Sequence, residues 1–174
     1  GVSRRSVSFT PRFIRSSPSS QSIALRLASA AMTCIMSWSG LARAMAEFAK
    51  AREGGSVRER AMQRLRDAMA AHPEYVAGEG RSCTELMRAM GGRVAIKTGA
   101  EAVFIAMIPE KKLGLALKIE DGNSRASEAA LVGILARLGV LDIAHPMAQK
   151  RLPAPQTNCR GLTVGELRLS EGFL

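Results

Sequence analysis

Apolar residues recur at helical spacing in two stretches before residue 73. The first stretch places its apolar residues on one face and stops at Gly54-Gly55, which predicts a helix over residues 39–52. Its apolar positions are Leu41, Met45 and Phe48. The second stretch follows Ser56 and Glu59, which have the spacing of a capping box at a helix start. This second helix ends before Pro73, because proline disfavours helical geometry in the residue that precedes it.

Two further helices are predicted on either side of a region of different pattern. Ser82 and Glu85 repeat the capping-box spacing and predict a short third helix that Gly91-Gly92 ends. Asn123 is a favourable N-cap residue, and the amphipathic stretch 125–138 after it predicts a closing helix that ends at Gly139.

Between these helices the pattern changes to short β-branched and apolar runs. The runs cover residues 93–98, 102–108 and 113–119, and turn-forming residues separate them. Connections this short favour antiparallel neighbours, so the three runs predict an antiparallel β-meander. Residues 140–174 predict a loop-rich tail with one short helical turn. The predicted fold class is therefore α+β, with helices packed on an antiparallel meander.

Composition favours an ordinary globular domain. The 174 residues are 47% hydrophobic and 23% charged, and no run of 18 uncharged apolar residues predicts a transmembrane helix. We therefore expect a soluble protein without a membrane partner. Cys34, Cys83 and Cys159 are widely separated and odd in number, which indicates neither a disulfide framework nor a zinc module. We interpret them as small buried or incidental residues.

The positive charge is concentrated near the start of the chain. Of the formal net charge of +10, six charges come from arginines that precede the first acidic residue, Glu47. Residues 1–37 are also rich in serine, so we expect a poorly ordered basic segment, with residues 38–174 forming the folded domain. An organelle transit peptide, a loose phosphate-binding arm and an atypical start remain open for this segment. We expect a cytoplasmic location, or an organelle if the segment targets one. Low aromatic content disfavours a nucleic-acid partner.

The best candidate for chemistry is Lys97-Thr98-Gly99, at the end of the first predicted strand. An ammonium and a hydroxyl at a strand end can bind a carboxylate, and a glycine leaves the backbone open to close approach. This tripeptide is one of the motifs of serine β-lactamases and penicillin-binding proteins. By itself it is weak, and it is more typical of a solvent-exposed lysine before a turn.

An ordered series of motifs extends over roughly residues 38–168 and resembles the carboxy-terminal half of the L-asparaginase II family, the rhizobial-type asparaginases. The motifs are Ser39-Gly40-Leu41-Ala42-Arg43-Ala44, His72-Pro73, Val76-Ala77-Gly78-Glu79-Gly80-Arg81, Lys97-Thr98-Gly99-Ala100-Glu101, Leu117-Lys118-Ile119-Glu120-Asp121-Gly122 and Arg125-Ala126. The resemblance implies part of a fold like that of serine β-lactamases and glutaminases. It also implies hydrolysis of L-asparagine to aspartate and ammonia, with serine and lysine residues acting in pairs.

Carried over to this chain, the resemblance implies that Lys97 is catalytic and partners a serine, while Thr98 and Gly99 line the substrate site. A lysine can take a serine proton if burial lowers the lysine pKa. Glu101 is expected to pair with a cation or to fix the turn. Gly78 and Gly80 either let a loop approach the cleft or form a flexible connection between helices.

Two family motifs are absent from the sequence. No Ser-x-x-Lys occurs, and Cys34 lacks the flanking Asp-Gly of the family's metal-site segment, so no metal or other cofactor is implied with certainty. We therefore expect a truncated asparaginase chain that is weakly active or inactive alone, with L-asparagine as its small-molecule partner. A noncatalytic remnant or a small-carboxylate-binding module is the alternative. A homo-oligomer is possible.

Overall fold

A computed structural model of the chain describes residues 22–24, 37–170 and 173. The prediction for residues 1–37, like Cys34, therefore lies almost entirely outside the described residues. The helices in this part of the chain are α1 (Trp38–Lys50), α2 (Val57–Ala71), α3 (Pro73–Ala77), α4 (Ser82–Ala89), α5 (Ser124–Arg137) and α6 (Pro146–Gln149). The strands are β1 (Ser22–Ala24), β2 (Ala95–Gly99), β3 (Val103–Ile108), β4 (Leu113–Lys118), β5 (Ala154–Thr157) and β6 (Thr163–Leu167).

The predicted meander forms the centre of a four-stranded sheet with the order β1-β4-β3-β2. Strand β2 pairs antiparallel with β3, and β3 pairs antiparallel with β4, as the short connections predict. The prediction of an α+β fold is confirmed. Strand β1 was not predicted, and it pairs parallel with β4, with Ser22 opposite Gly114.

The sheet is covered by helices on both faces. Its alternating side chains place the main core against α4 and α5, where Phe104, Leu115 and Leu117 are among the largest buried side chains. The opposite face packs on α1 through small residues such as Ala42 and Ala116.

Small side chains let α1 lie very close to β4. A Cβ atom at Gly114 would overlap the backbone nitrogen of Ala46 and the carbonyl oxygen of Ala42. Glycine at this position is therefore required by the approach of the helix backbone.

Two predicted capping boxes have different outcomes. At α2, the Glu59 carboxylate accepts from the Ser56 backbone N–H at 2.8 Å, and the Glu59 N–H donates to the Ser56 hydroxyl at 3.3 Å. The prediction of a capping box at Ser82 is wrong, because α4 begins at Ser82, Arg81 is its N-cap, and no side chain caps the helix. The carboxylate of Glu85 instead accepts hydrogen bonds from residues far along the chain.

The tail contains more regular structure than a loop with one helical turn. Strands β5 and β6 form an antiparallel pair that the sequence analysis missed. The Asn158 side chain organises the connection, since its Oδ1 accepts from the N–H groups of Arg160 at 2.9 Å and Leu162 at 3.0 Å. Among the helices described, none has the length and apolar character needed to cross a membrane.

Candidate functional site

Lys97, Thr98 and Gly99 are the last three residues of β2, which is an edge strand of the main sheet. Lys97 lies opposite Ile105 of β3, and Thr98 lies opposite Phe104. Burial decreases along the strand, since Ile96 is fully buried, Lys97 and Thr98 are half-buried, and Gly99 is exposed. Strand β2 therefore leaves the core and reaches the surface within this tripeptide.

The Lys97 ammonium is held at the strand end by its own neighbour. Its Nζ donates a hydrogen bond to the carbonyl oxygen of Thr98 at 2.7 Å. Within the described part of the chain, no serine hydroxyl forms a hydrogen bond with it. The pairing of Lys97 with a catalytic serine therefore stays a prediction.

The Thr98 hydroxyl lies among main-chain carbonyl groups at the same strand end. Its distances to the carbonyl oxygens of Gly99 and Val103 are 3.3 and 3.4 Å, which are long for O–H···O bonds. Thr98 therefore carries a hydroxyl at the same strand end as Lys97, on a side chain that alternates with it along the strand. Its role toward a substrate remains a prediction.

Two sulfur atoms of α4 lie along the outer edge of β2. The Ile96 N–H donates to Sδ of Met87 at 3.4 Å, and the Thr98 N–H donates to Sγ of Cys83 at 3.2 Å. Cys83 and Met87 are four residues apart, so they share one face of the helix, and both are fully buried. The sequence predicts Cys83 as a small buried residue, and its burial is confirmed. It does not predict this contact, because no local pattern shows which strand a helix lies beside.

The environment of Cys83 favours the neutral thiol. Burial raises the pKa of the Cys83 thiol, and the nearby Glu128 carboxylate raises it further. The Thr98 hydrogen bond and the charge of Lys97 oppose this rise without cancelling it. Cys83 is therefore suited to accept a hydrogen bond and poorly suited to act as a nucleophile.

A strained turn follows the tripeptide. Glu101 and Ala102 have φ values of 57° and 56°, and the Val103 N–H donates to the Ala100 carbonyl at 3.3 Å. Two consecutive positive φ angles are typical of a type I′ hairpin turn, which Asn-Gly adopts far more readily than Glu-Ala. The Glu101 carboxylate lies against Gly122 and, within the residues described, forms no ion pair. Its expected pairing with a cation is not seen here.

The loop before α4 is fixed by a buried hydroxyl. Gly78 and Gly80 have φ values of 89° and 72°, a conformation that glycine adopts without strain. The Thr84 hydroxyl is within hydrogen-bonding distance of the carbonyl oxygens of Gly78 at 2.6 Å and Pro73 at 3.1 Å. Thr84 therefore anchors this loop to the helix that covers the edge of β2.

A cluster of charged side chains joins α4, α5 and the end of α6, and we call it the Arg151 cluster. Its members are Glu85, Glu128, Lys150 and Arg151. Arg151, 7% exposed, donates hydrogen bonds to Glu85 and, at 3.1 Å, to Glu128, while Lys150 donates to Glu85 at 2.8 Å. Burial raises the pKa of Glu85, but the hydrogen bonds from Lys150 and Arg151 outweigh burial, so the pKa lies below its usual value. This cluster fixes α4 in place and thereby supports the sulfur contacts.

Potential metal ligands are scattered in the described part of the chain. There, no group of three or more His, Cys, Asp or Glu side chains is arranged to hold a metal ion. Cys159 is exposed and far in sequence from the buried Cys83.

Comparison with protein families gives a match over most of the chain. The model of the family described as L-asparaginase II matches residues 30–169, which include α1 to α6 and the main meander. No curated protein matches the chain.

Proposed function

Because this chain belongs to the L-asparaginase II family, we propose that it supplies the Lys97 strand of an amidohydrolase site that releases ammonia from L-asparagine. The observation that carries the proposal is the half-buried end of β2, which carries both the Lys97 ammonium and the Thr98 hydroxyl, each hydrogen-bonded to main-chain carbonyl oxygens. An ammonium and a hydroxyl at one strand end can bind the carboxylate that asparagine and aspartate share.

The proposed roles follow from the chemistry of amide hydrolysis. A serine hydroxyl attacks the side-chain carbonyl carbon, the C–N bond breaks, and the leaving nitrogen departs as ammonia; water then releases aspartate from the acyl-enzyme. In this scheme Lys97 takes the serine proton and passes it to the leaving nitrogen, and later takes a proton from the attacking water and returns it to the serine oxygen. Thr98 and Gly99 contact the substrate.

On this proposal, the attacking serine comes from outside this sequence. None of its six lysines has a serine three positions earlier, so the Ser-x-x-Lys motif of serine hydrolases of this type is absent. We propose that a second polypeptide segment supplies the serine, and that the chain alone binds the substrate without turning it over.

One observation favours a noncatalytic function as the second candidate. In this structure the Lys97 Nζ atom donates a hydrogen bond to the Thr98 carbonyl oxygen, and no serine hydroxyl among the described residues is hydrogen-bonded to it. An ammonium group in this arrangement can bind carboxylates without any serine nearby. On this alternative, the chain is a small-carboxylate-binding module.

The first experiment measures ammonia release from L-asparagine and L-glutamine by the purified chain. We expect release at the level of the Lys97→Ala variant, because a hydrolytic site needs a nucleophile, a base and oxyanion donors together. Turnover by the wild-type chain that Lys97→Ala abolishes would contradict the proposed need for an outside serine.

The second experiment measures L-aspartate binding by the same proteins. Lys97→Ala is expected to bind about tenfold more weakly, since it loses a charge-assisted hydrogen bond. Lys111→Ala removes the same charge from an exposed position in the β3–β4 connection and serves as the matched control. Equal affinities for all three proteins would rule out a carboxylate site at Lys97.

The third experiment separates the two candidates. A polypeptide that carries the Ser-x-x-Lys segment of another family member is added to the chain, and ammonia release is measured again. Release that requires Lys97 supports the amidohydrolase, whereas aspartate binding without any release supports the binding module.

A further inference from the structure

We propose that Cys83 is a positioning residue for Lys97, acting through Thr98. The Sγ atom of Cys83 accepts the Thr98 N–H at 3.2 Å, and the carbonyl oxygen of the same Thr98 accepts the Lys97 ammonium at 2.7 Å. The Cys83 thiol therefore fixes Thr98 through its N–H group, and Thr98 fixes the Lys97 ammonium through its carbonyl oxygen. Its relevance to a substrate rests on the function proposed above, while the positioning itself does not.

The geometry of the strand explains why a sulfur atom occupies this place. In an antiparallel pair, the N–H and C=O groups of a given residue point to the same side of the strand. The Ile96 and Thr98 N–H groups both reach α4, so the polar groups of these two residues face away from β3. Buried N–H groups need an acceptor, and Met87 and Cys83 supply one to each.

Only one of the two sulfur contacts reaches the lysine. Met87 accepts from Ile96, which lies inside the core and before Lys97. Cys83 accepts from Thr98, which lies after Lys97 and receives its ammonium. The two sulfurs thus form a matched pair in which Cys83 is expected to affect the Lys97 ammonium and Met87 is not.

Position, more than reactivity, is the contribution of Cys83. The side chain is fully buried between α4 and β2, and its Sγ atom lies 3.2 Å from the Thr98 nitrogen, which needs an acceptor. Alanine removes the acceptor, whereas serine keeps an acceptor on a shorter bond. The Cys83→Ser variant therefore provides a conservative rescue.

The test uses the full chain and two readouts that need no activity. Amide hydrogen exchange reports the Thr98 N–H, and acetylation by acetic anhydride, followed by mass spectrometry, reports the accessibility of the Lys97 ammonium relative to Lys111. In Cys83→Ala, we expect Thr98 to exchange about tenfold faster, since one hydrogen bond is lost, and Lys97 to be acetylated several times faster. Cys83→Ser should fall between Cys83→Ala and the wild type.

Two comparisons separate positioning from a general loss of structure. Met87→Leu should speed the exchange of Ile96 and leave Lys97 acetylation unchanged, and the amides of β3 should exchange at the wild-type rate in Cys83→Ala. The inference is overturned if Cys83→Ala leaves Thr98 exchange or Lys97 acetylation unchanged, or if β3 exchange rises as much as that of Thr98.

A binding measurement then connects the positioning to the proposed site. L-Aspartate should bind more weakly to Cys83→Ala than to Met87→Leu. If the wild-type chain does not bind L-aspartate, the proposed function fails, and the positioning role is still decided by exchange and acetylation. If aspartate binds the two variants equally while the other readouts change as expected, Cys83 positions Lys97 without serving a substrate.

Discussion

Arg66 of α2 donates a hydrogen bond from Nη1 to the carbonyl oxygen of Ala51 at 3.1 Å, just beyond the end of α1. The same nitrogen lies 2.9 and 3.2 Å from the carbonyl oxygens of Phe48 and Ala49. The last carbonyl groups of a helix lack partners within it, so a side chain has to supply the missing donors when the end is buried. The 7% exposed Arg66 thus closes the end of α1 and joins it to α2.

Removing this guanidinium should destabilise the fold. We expect Arg66→Ala to lower the free energy of unfolding by about 2 to 3 kcal/mol, because buried carbonyl groups lose a charged donor. Arg64→Ala, at an exposed position of the same helix, should change it by less than about 0.5 kcal/mol. Chemical denaturation of the two variants measures both values, and equal values would show that Arg66 does not close the helix.

A substitution at Gly114 tests how closely α1 has to approach β4. We expect Gly114→Ala to lower the free energy of unfolding by about 3 kcal/mol, because the new methyl group overlaps backbone atoms that have little freedom to move. Gly165→Ala introduces the same methyl group in β6, where no atom lies within 4 Å. Thermal unfolding should place Gly165→Ala near the wild type, and a mild effect of Gly114→Ala would mean that the helix shifts easily.

Because Glu85 is stabilised in its charged form, we expect the free energy of unfolding to fall in acid. Its pKa in the folded chain lies below its usual value of about 4.3, so its contribution is present above that pH and is lost as the pH falls through the folded-state pKa. We expect Glu85→Gln to show a smaller decrease in the free energy of unfolding below about pH 4.3 than the wild type shows.

The control for this pH dependence is a glutamate that has no hydrogen bond from a lysine or arginine side chain among the residues that the structure describes. Glu120→Gln, at an exposed turn, should keep the wild-type acid slope. Part of the slope should remain in Glu85→Gln as well, because hydrogen bonds also lower the pKa values of Glu59 and Glu79. An unchanged slope in Glu85→Gln would contradict the role of the Arg151 cluster.

The turn at Glu101 and Ala102 offers a stabilising substitution. Replacing both residues by Asn-Gly should raise the free energy of unfolding by about 1 kcal/mol, since positive φ angles cost a non-glycine residue about 1 to 2 kcal/mol. Part of that gain is offset because the Ala102 methyl group is buried. Glu120→Asn is the control and should have little effect, whereas a destabilised Asn-Gly variant would show that the Glu101 side chain holds the turn.

Helices and strands that have local sequence signals could be predicted from the sequence. The two predicted capping boxes show where such local prediction stops being reliable. Ser56 and Ser82 have the same spacing to a glutamate, yet only Ser56 caps its helix. Glu85 is bound by Arg151, 66 residues further along the chain. A pattern within four residues contains no information about such a partner.

The β5–β6 pair and the edge of β2 were missed for related reasons. Pro155 lies within β5 although proline usually interrupts strands, and it is tolerated because a two-stranded sheet consists of edges. Lys97 was correctly placed at a strand end because the apolar run ends there. The sulfur contacts of Cys83 depend on where α4 lies beside the sheet, which only the folded chain determines.

The cover that α4 provides for β2 also bears on aggregation. An uncovered edge strand offers its N–H and C=O groups to strands of other chains, and such edges start intermolecular β-sheets. Here the N–H groups of Ile96 and Thr98 are already bonded to sulfur atoms of the helix. Local detachment of α4 would expose this edge while the rest of the sheet is still folded. Aggregation under mild destabilising conditions is therefore expected to start from the loss of one eight-residue helix and to precede unfolding of the sheet.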